Sequence, residues 1–436
     1  MLIKNILKYI NDDQNILVAY SGGMDSTVLL YQLIKLKKKK LKNIKIRAIH
    51  INHNISKNSK NWEYHCYKEC KKNKIPIIIR KIKKKYKKNL ENKLRNKRYK
   101  IIKEEILKKE IVVTGHHLND QCETLLLALK RGSGPNGLSG IKNPTFFGKN
   151  NQLLIRPFIK INKIKLEKWA IKKKIKWIND ESNLNKKFER NFLRLKIIPI
   201  FEKKWPFFLK NLYRTSKICQ KNEKILNFFI KPILNICNIN NTELQIKKIK
   251  TFPKEIGILI IRKWLYSLTK TFLSYKKIHQ IYKDFILCKQ NKMSLMNFKN
   301  YKIQKYKNII YYIRKTNNIK NKIIFCHYPF KKIILPEKLG ILEINNKGMK
   351  IPAPKKNDLV NIRFQFQGIV KTDERNKSCK IKKMWKHIKV LNIYKNSIPL
   401  LFYNETFISA IGTFIIINKK NIKNNKTWKI SWKNNI

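Results

Sequence analysis

A short apolar run, Ile16-Leu17-Val18-Ala19, ends in Tyr20-Ser21-Gly22-Gly23-Met24-Asp25-Ser26 and gives way to an amphipathic stretch from Thr27 to Leu36. The run reads as a buried strand, the Ser/Gly segment as a turn and the amphipathic stretch as a helix. A strand that feeds a glycine turn and a helix start commits the chain to an α/β arrangement. It also makes a place for phosphate, because the first helical turn offers unpaired N–H groups and a partial positive charge. Gly22 and Gly23 allow close backbone approach and positive φ. Ser21, Ser26 and Thr27 add hydroxyl donors, and Asp25 can hold a magnesium ion against phosphates.

The segment is not a Walker A loop, which would read G-x-x-x-x-G-K-[ST], nor is it G-x-G-x-x-G. Ser-Gly-Gly-x-Asp-Ser directly after a strand resembles the pyrophosphate loop of the ATP pyrophosphatases, which adenylate a substrate by splitting ATP into AMP and pyrophosphate. That resemblance implies ATP chemistry and leaves the adenylated substrate open.

The chain has 436 residues, enough for two or three domains with their own cores. Lys and Arg total 100 against 26 Asp and Glu, a formal charge of +74. An excess of this size favours a polyanionic partner, nucleic acid first. Lys, Ile and Asn are abundant throughout, as an AT-rich genome would dictate, so charge supports that reading without carrying it. The runs Lys37–Lys40 and Lys83–Lys88 read as solvated faces or loops. Eight cysteines are scattered without a Cys-x-x-Cys or zinc spacing, which fits a reduced, cytoplasmic protein. The N-terminal stretch is too short and too interrupted by Lys for a signal peptide, and no apolar run reaches the roughly 18–20 residues of a membrane span.

Strand-like segments at Ile16–Ala19, Ile44–Ile51, Ile75–Ile79 and Ile111–Thr114 alternate with helical patterns. That alternation predicts a doubly wound parallel α/β sheet over residues 1–204. Ligands of such sheets bind beyond the C-terminal strand ends, where strand order reverses. The Ser/Gly turn, Ile51-Asn52-His53-Asn54 and Gly115-His116-His117 each follow a strand, so all three should meet at one edge. Residues 205–340 read as a mainly helical middle domain with short strand-like pieces after Leu287. A small α+β domain, 341–436, follows, with strands expected at Val360–Phe366, Ile398–Tyr403 and Phe407–Ile417 and a helix at Lys380–Trp385.

A second motif, His116-His117-Leu118-Asn119-Asp120-Gln121-Cys122-Glu123-Thr124, precedes an apolar helix and Arg131-Gly132-Ser133-Gly134. Asp120 and Glu123 share a helix face and suit metal coordination or handling of an amine. An acidic helix cap with a capping glutamate is the alternative. Together the two motifs resemble those of the tRNA(Ile)-lysidine synthetase family. That family pairs the Ser-Gly-Gly loop with His-x-Asp-Asp-Gln-x-Glu-Thr. The match continues through Glu91-x-x-x-Arg95-x-x-Arg98-Tyr99, Ile155-Arg156-Pro157, Trp177–Asn183 and Arg190-Asn191-Phe192-Leu193-Arg194. Near the C-terminus it takes in Phe364, Lys380–Lys383, Pro399–Glu405 and Gly412. Two departures stand out. Asn119 replaces the first acid of the Asp-Asp pair, and Asn392-Ile393-Tyr394-Lys395 replaces Pro-Trp-x-Arg.

The resemblance implies a pyrophosphate-loop ATPase domain of the adenine nucleotide α-hydrolase type, with the two smaller domains positioning tRNA. It implies ligation of free lysine to C2 of cytidine 34 in the CAU anticodon of tRNA(Ile), with ATP as co-substrate and Mg2+. Asp25, Asp120 and Glu123 are the candidate catalytic residues, Asp25 and Asp120 the candidate magnesium ligands. ATP contacts are expected from Ser21, Gly22, Gly23, Met24, Asp25, Ser26, Thr27, His53 and His117; packing alone is the other reading of the two histidines. Arg95, Arg98, Arg194, Lys380, Lys382 and Lys383 are candidates for tRNA or phosphate contacts, with structural ion pairs the alternative for the arginines. A homodimer is a further expectation. A tRNA-thiolating enzyme of the same superfamily would need a cysteine pair or iron–sulfur site, and a basic RNA-binding protein with a decayed nucleotide site would lack the intact loop.

Overall fold

The strand, turn and helix at the N-terminus form as the sequence pattern requires and start a sheet that is covered on both faces. In the computed structural model, all residues are described except 1, 55, 57, 83–89, 149–150, 290–293, 316–318, 328–329, 331, 356, 373–374, 389–394, 417–426 and 434–436. The Lys83–Lys88 run and Asn392-Ile393-Tyr394 lie outside the described residues, as does the side chain of Glu91. The chain divides into two compact units, Met1–Phe229 and Ile230–Ile436. Among the described residues no helix is long and apolar enough to cross a membrane.

In the first unit, β1 (Asn15–Ala19), α1 (Met24–Lys39), β2 (Lys45–Asn52), α2 (Ser59–Lys72), β3 (Ile77–Lys81), α3 (Leu90–Glu105), β4 (Glu110–Val113) and α4 (Leu118–Lys130) alternate as expected. A short helix α5 (Pro135–Leu138), strands β5 (Thr145–Phe147) and β6 (Gln152–Ile155), and helices α6 (Lys163–Lys172), α7 (Glu189–Phe192), α8 (Ile198–Lys204) and α9 (Phe208–Cys237) follow. The sheet order is β3-β2-β1-β4-β6-β5, parallel except for the edge strand β5. Strand order reverses between β1 and β4, which opens the ligand-binding crevice at their C-terminal ends.

Burial on both sides explains why β1 is apolar from Ile16 to Ala19. Ile16 and Val18 face one core with Val28, Leu29, Leu33, Cys66, Cys70, Phe158 and Leu166, while Leu17 faces the other with Ile49, Ile102, Val112 and Leu154. Each fully buried Ile, Leu or Val contributes about 1.5–3 kcal/mol. Cys66 and Cys70 are packing residues on α2. Strand β3 begins two residues later than expected because Pro76 has no N–H to donate. Its carbonyl still accepts from the Ala48 N–H (2.8 Å).

In the second unit, β7 (Asn238–Asn240), β8 (Glu243–Gln245), α10 (Ile246–Lys250), α11 (Lys254–Thr269), α12 (Tyr275–Ile281), β9 (Leu295–Asn297), β10 (Tyr301–Tyr306) and β11 (Ile309–Arg314) share one core. Ile260 and Trp264 of α11 are buried there in one cluster with Ile303 and Ile310. The strands form an antiparallel sheet, β7-β8-β11-β10-β9, so the short strand-like pieces after Leu287 pair with strands that precede the helices. Further on, Ile324–Cys326, Val360–Arg363, Leu400–Tyr403, Thr406–Ala410 and Phe414–Ile415 make a second antiparallel sheet, beside the helix Ile381–His387. The single strand expected over Phe407–Ile417 is two strands. Gly412 takes φ +80° and reverses the chain between them.

Candidate active site

Gly22, with φ +81°, turns the chain out of β1. A Cβ there would lie 2.5 Å from Ile178 Cδ1 and 2.8 Å from Cys66 Sγ, so only glycine fits. The loop's hydroxyls knit it together. Ser26 Oγ accepts the Ser21 N–H (3.2 Å), and its own hydroxyl donates to the Gly23 carbonyl (3.0 Å). Thr27, fully buried, donates to the Gly22 and Gly23 carbonyls (3.2 and 2.9 Å). Of the hydroxyls expected to face phosphate, that of Thr27 therefore shapes the loop from inside. The Gly22 carbonyl also accepts the Ile178 N–H (2.9 Å), so the Trp177–Asn183 segment braces the loop from outside the sheet.

The end of β4 presses directly on this loop, since a Cβ on Gly115 would stand 3.0 Å from the Asp25 backbone. That approach delivers His117, the residue capping α4, to Asp25. His117 Nε2 lies 3.6 Å from Asp25 Oδ2 and 3.5 Å from Asp120 Oδ2. Burial works against a charge on His117, but the Asp120 and Asp25 carboxylates outweigh it and raise its pKa. Asp120 Oδ2 also accepts the His117 N–H (2.8 Å). Burial would raise the Asp120 carboxyl, yet His117, His116, that backbone bond and Arg194 bring it down to about 2. Asp120 thus caps the helix from its third position, with His117 as the N-cap, rather than as the N-cap itself with Glu123 as capping glutamate, and it has an ionic role as well.

Glu123 is fully buried and receives two bonds from Arg194, Nε to Oε1 at 2.7 Å and Nη2 to Oε2 at 3.1 Å. Arg190 stands 3.8 Å from the same carboxylate. Burial pushes the Glu123 carboxyl up, and the bidentate Arg194 fork opposes that push without reversing it. Both Glu123 oxygens are committed, so this residue positions Arg194 rather than meeting a substrate. Arg194 sits in a π-helical turn, Leu193–Ile197, and its Nη2 reaches to 3.6 Å from Asp120 Oδ1. The ion-pair reading holds for Arg194.

Asn119 points elsewhere. Its Oδ1 accepts the Lys163 N–H (3.0 Å), satisfying an unpaired donor at the start of α6. It caps a helix, though not its own, and an amide does this as well as a carboxylate would.

Arg95 and Arg98 lie over the Tyr99 ring at 5.3 and 5.5 Å, and among the described residues neither pairs with a carboxylate. Arg156, quoted in the sequence but given no role, is buried beside them. Its Nη1 donates to the Lys142 carbonyl (2.7 Å) and to Thr145 Oγ1 (3.0 Å). Burial together with Arg98 pushes the His53 pKa down to about 4, and burial also holds His116 well below the usual histidine range. His53 is therefore neutral at pH 7 and can act only through neutral hydrogen bonds or packing. Lys380, Lys382 and Lys383 are exposed at the end of a hairpin and on the helix Ile381–His387 of the second unit.

The residues can be tested for a divalent cation. Among the described residues no group of three or more His, Cys, Asp or Glu side chains could hold a metal. Asp25 Oδ1, however, is buried without a hydrogen-bond partner beside the phosphate-facing loop. One such carboxylate oxygen suits magnesium, which takes few protein ligands and completes its shell with water and substrate phosphates. Asp120 has both oxygens turned to partners within the protein.

Residues 2–201 match the family model of the PP-loop domain, and residues 360–432 that of the TilS substrate C-terminal domain. The chain is 48% identical over 437 residues to the tRNA(Ile)-lysidine synthase of Buchnera aphidicola subsp. Schizaphis graminum, covering 99% of this chain and 97% of that one. It is 45% identical to the enzyme of that name from Buchnera aphidicola subsp. Acyrthosiphon pisum, with 100% and 98% covered. With that of Shigella flexneri it shares 32% identity, covering 92% of each. Likeness that runs from the glycine loop to the last strands, over a sheet whose switch point gathers Asp25, His117 and Asp120, places the chain in the tRNA(Ile)-lysidine synthase family.

Proposed function

We propose that the protein is a carbon–nitrogen ligase that joins free lysine to C2 of cytidine 34 in the CAU anticodon of tRNA(Ile). The observation that carries this reading is the junction of Asp25, His117 and Asp120 at the mouth of the glycine loop, within a chain of this family.

In the first step the C2 oxygen of the cytosine attacks the α-phosphorus of ATP, and the bond to the β-phosphate breaks to release pyrophosphate. The loop's backbone N–H groups and the start of α1 hold the departing phosphates. Asp25 would hold magnesium, which neutralises charge on those phosphates when bound. In the second step the neutral ε-amine of lysine attacks C2, the C2–O bond breaks and AMP leaves with the oxygen. Asp120, ionised well below neutral pH, adds a fixed negative charge near which lysine's ammonium is gathered before it gives a proton up to solvent. Arg194, anchored by Glu123, holds Asp120 in place and can face a developing phosphate charge. The base must leave its stack to reach the crevice. Arg95 and Arg98, without carboxylate partners among the described residues, suit the phosphates of that splayed strand. Residues 205–340 and 341–436, the latter with Lys380, Lys382 and Lys383, would position the rest of the tRNA.

Adenylation can be tested apart from ligation. With tRNA and ATP but no lysine, the protein should release pyrophosphate and leave AMP on the RNA. A transcript with uridine at position 34 should do neither, and equal release with both transcripts would contradict the reading.

A further inference from the structure

Next to the catalytic helix lies an aromatic surface to which the reaction above gives no task. Trp205 and Phe207 flank Pro206 in the turn between α8 and α9 and are 52% and 63% exposed. A proline at 206 keeps Trp205 extended, at φ −130° and ψ 92°, which ends α8 and leaves the indole beside the last turn of that helix. One indole face rests on Phe201, with centroids 5.6 Å apart and planes 28° from parallel. Phe201 in turn lies 4.6 Å from Phe208.

This stack is rooted in the site. Phe208 packs on a small core formed by Leu118, Cys122, Ile198 and Leu209. Leu118 and Cys122 belong to α4, the same helix that carries Asp120 and Glu123. Helical turns run without a break from Glu189 through the turn holding Arg194 to Lys204. At 1.5 Å per residue, Trp205 stands roughly 16 Å from Arg194. The rings are thus fixed at a set distance of a few nucleotides from the reacting centre.

The surroundings decide the occupant. Lys203, Lys204 and Lys210 are all exposed around the two rings, and the Lys210 ammonium lies 5.3 Å from the Phe207 centroid. A second copy of a chain with formal charge +74 would bring like charges together here. An RNA strand brings complementary charge to the lysines and flat bases to the rings, the combination on which single strands are held. We infer that Trp205 and Phe207 form a stacking platform for unpaired bases of the tRNA loop that flank the reacting cytidine. This rests on the reading that the substrate is tRNA, and it adds a second contact that keeps the loop splayed.

The test compares wild type, Trp205→Leu, Phe207→Leu and Trp205→Phe. Each is measured for affinity toward a labelled anticodon stem–loop RNA, the same hairpin with abasic loop positions, and ATP. Stacking losses of this kind correspond to about 5- to 100-fold in affinity. The platform predicts that order of loss for Trp205→Leu on the intact hairpin and substantial recovery in Trp205→Phe. It also predicts little difference between wild type and Trp205→Leu on the abasic hairpin, with ATP affinity and melting temperature nearly unchanged. Wild-type hairpin affinity in both leucine variants, while wild type still modifies full tRNA, would overturn the platform and leave the enzyme reading intact. A changed sedimentation mass in Trp205→Leu with unchanged hairpin affinity would also overturn it, in favour of a protein interface. Failure of wild type to bind or modify any tRNA would overturn the enzyme reading itself.

Discussion

The Glu123 carboxylate, closed off from solvent, takes both of its hydrogen bonds from the Arg194 guanidinium, at 2.7 and 3.1 Å. The pair ties α4 to a π-helical turn and so fixes a cation beside Asp120. Such turns often mark functional sites, and here the turn aims one side chain.

Removing one partner should therefore cost more than a surface ion pair would. Arg194→Ala leaves a buried carboxylate with Arg190, 3.8 Å away, in place of its bidentate partner and is expected to destabilise the first unit by about 3 kcal/mol in chemical denaturation. Arg194→Lys should recover little, because an ammonium lacks the fork that meets both oxygens. Full recovery by lysine would show that charge alone, without geometry, is what matters.

Gly22→Ala is expected to disable the nucleotide loop. Its φ of +81° is strained for alanine, and the added methyl would collide with Ile178 Cδ1 at 2.5 Å. Calorimetry should show ATP affinity reduced at least tenfold, with stability lowered by about 1–3 kcal/mol. Unaltered ATP binding would mean that nucleotide does not contact this turn.

Asn119→Asp should change little. The residue accepts the Lys163 N–H, and an aspartate at a helix start does the same with a small electrostatic gain of about 0.3–1 kcal/mol. Lysine incorporation should stay within about threefold of wild type on that basis. A gain of tenfold or more would assign the family's aspartate a catalytic part that this site has lost.

The Asp120–His117 pairing should leave opposite marks at the two ends of the pH range. Asp120 is held at about 2, below its unfolded value near 3.9, so its stabilisation is present above about pH 4 and fades as pH falls toward 2. His117 is raised above its unfolded value near 6.5, so its contribution is full below about pH 6.5 and fades as pH rises through the folded value. The stability gap between wild type and Asp120→Asn, about 2 kcal/mol at pH 6, should shrink below pH 4 and close only as pH falls to about 2. The gap for His117→Gln should narrow toward alkaline pH. A gap independent of pH in both variants would show that packing, not charge, joins the pair.

The parallel sheet and its switch point were legible because β1 and β4 are mostly apolar and β2 alternates apolar with polar residues, each strand being followed by a polar or glycine turn. The split of Phe407–Ile417 was hidden because Phe, Ile and Thr on both sides of Gly412 favour strands. At the site, Asp25 and Asp120 stood out through their motifs, but the commitment of Glu123 did not. Its partner Arg194 lies 71 positions away, and no local pattern links them. The helix that Asn119 caps was not legible for a related reason, since its role is set by α6, which contacts it only in the fold. Ile178 lay within the matching Trp177–Asn183 segment, but its brace on the loop was not legible there, because it acts through a backbone N–H.

The most direct test of the central claim is incorporation of radiolabelled lysine into tRNA(Ile) bearing CAU, in the presence of ATP and magnesium, followed by nucleoside digestion. The account predicts one labelled nucleoside at position 34, absent without ATP and lost in Asp25→Ala. ATP-independent labelling, labelling at another position, or tRNA that binds yet never acquires lysine would contradict it.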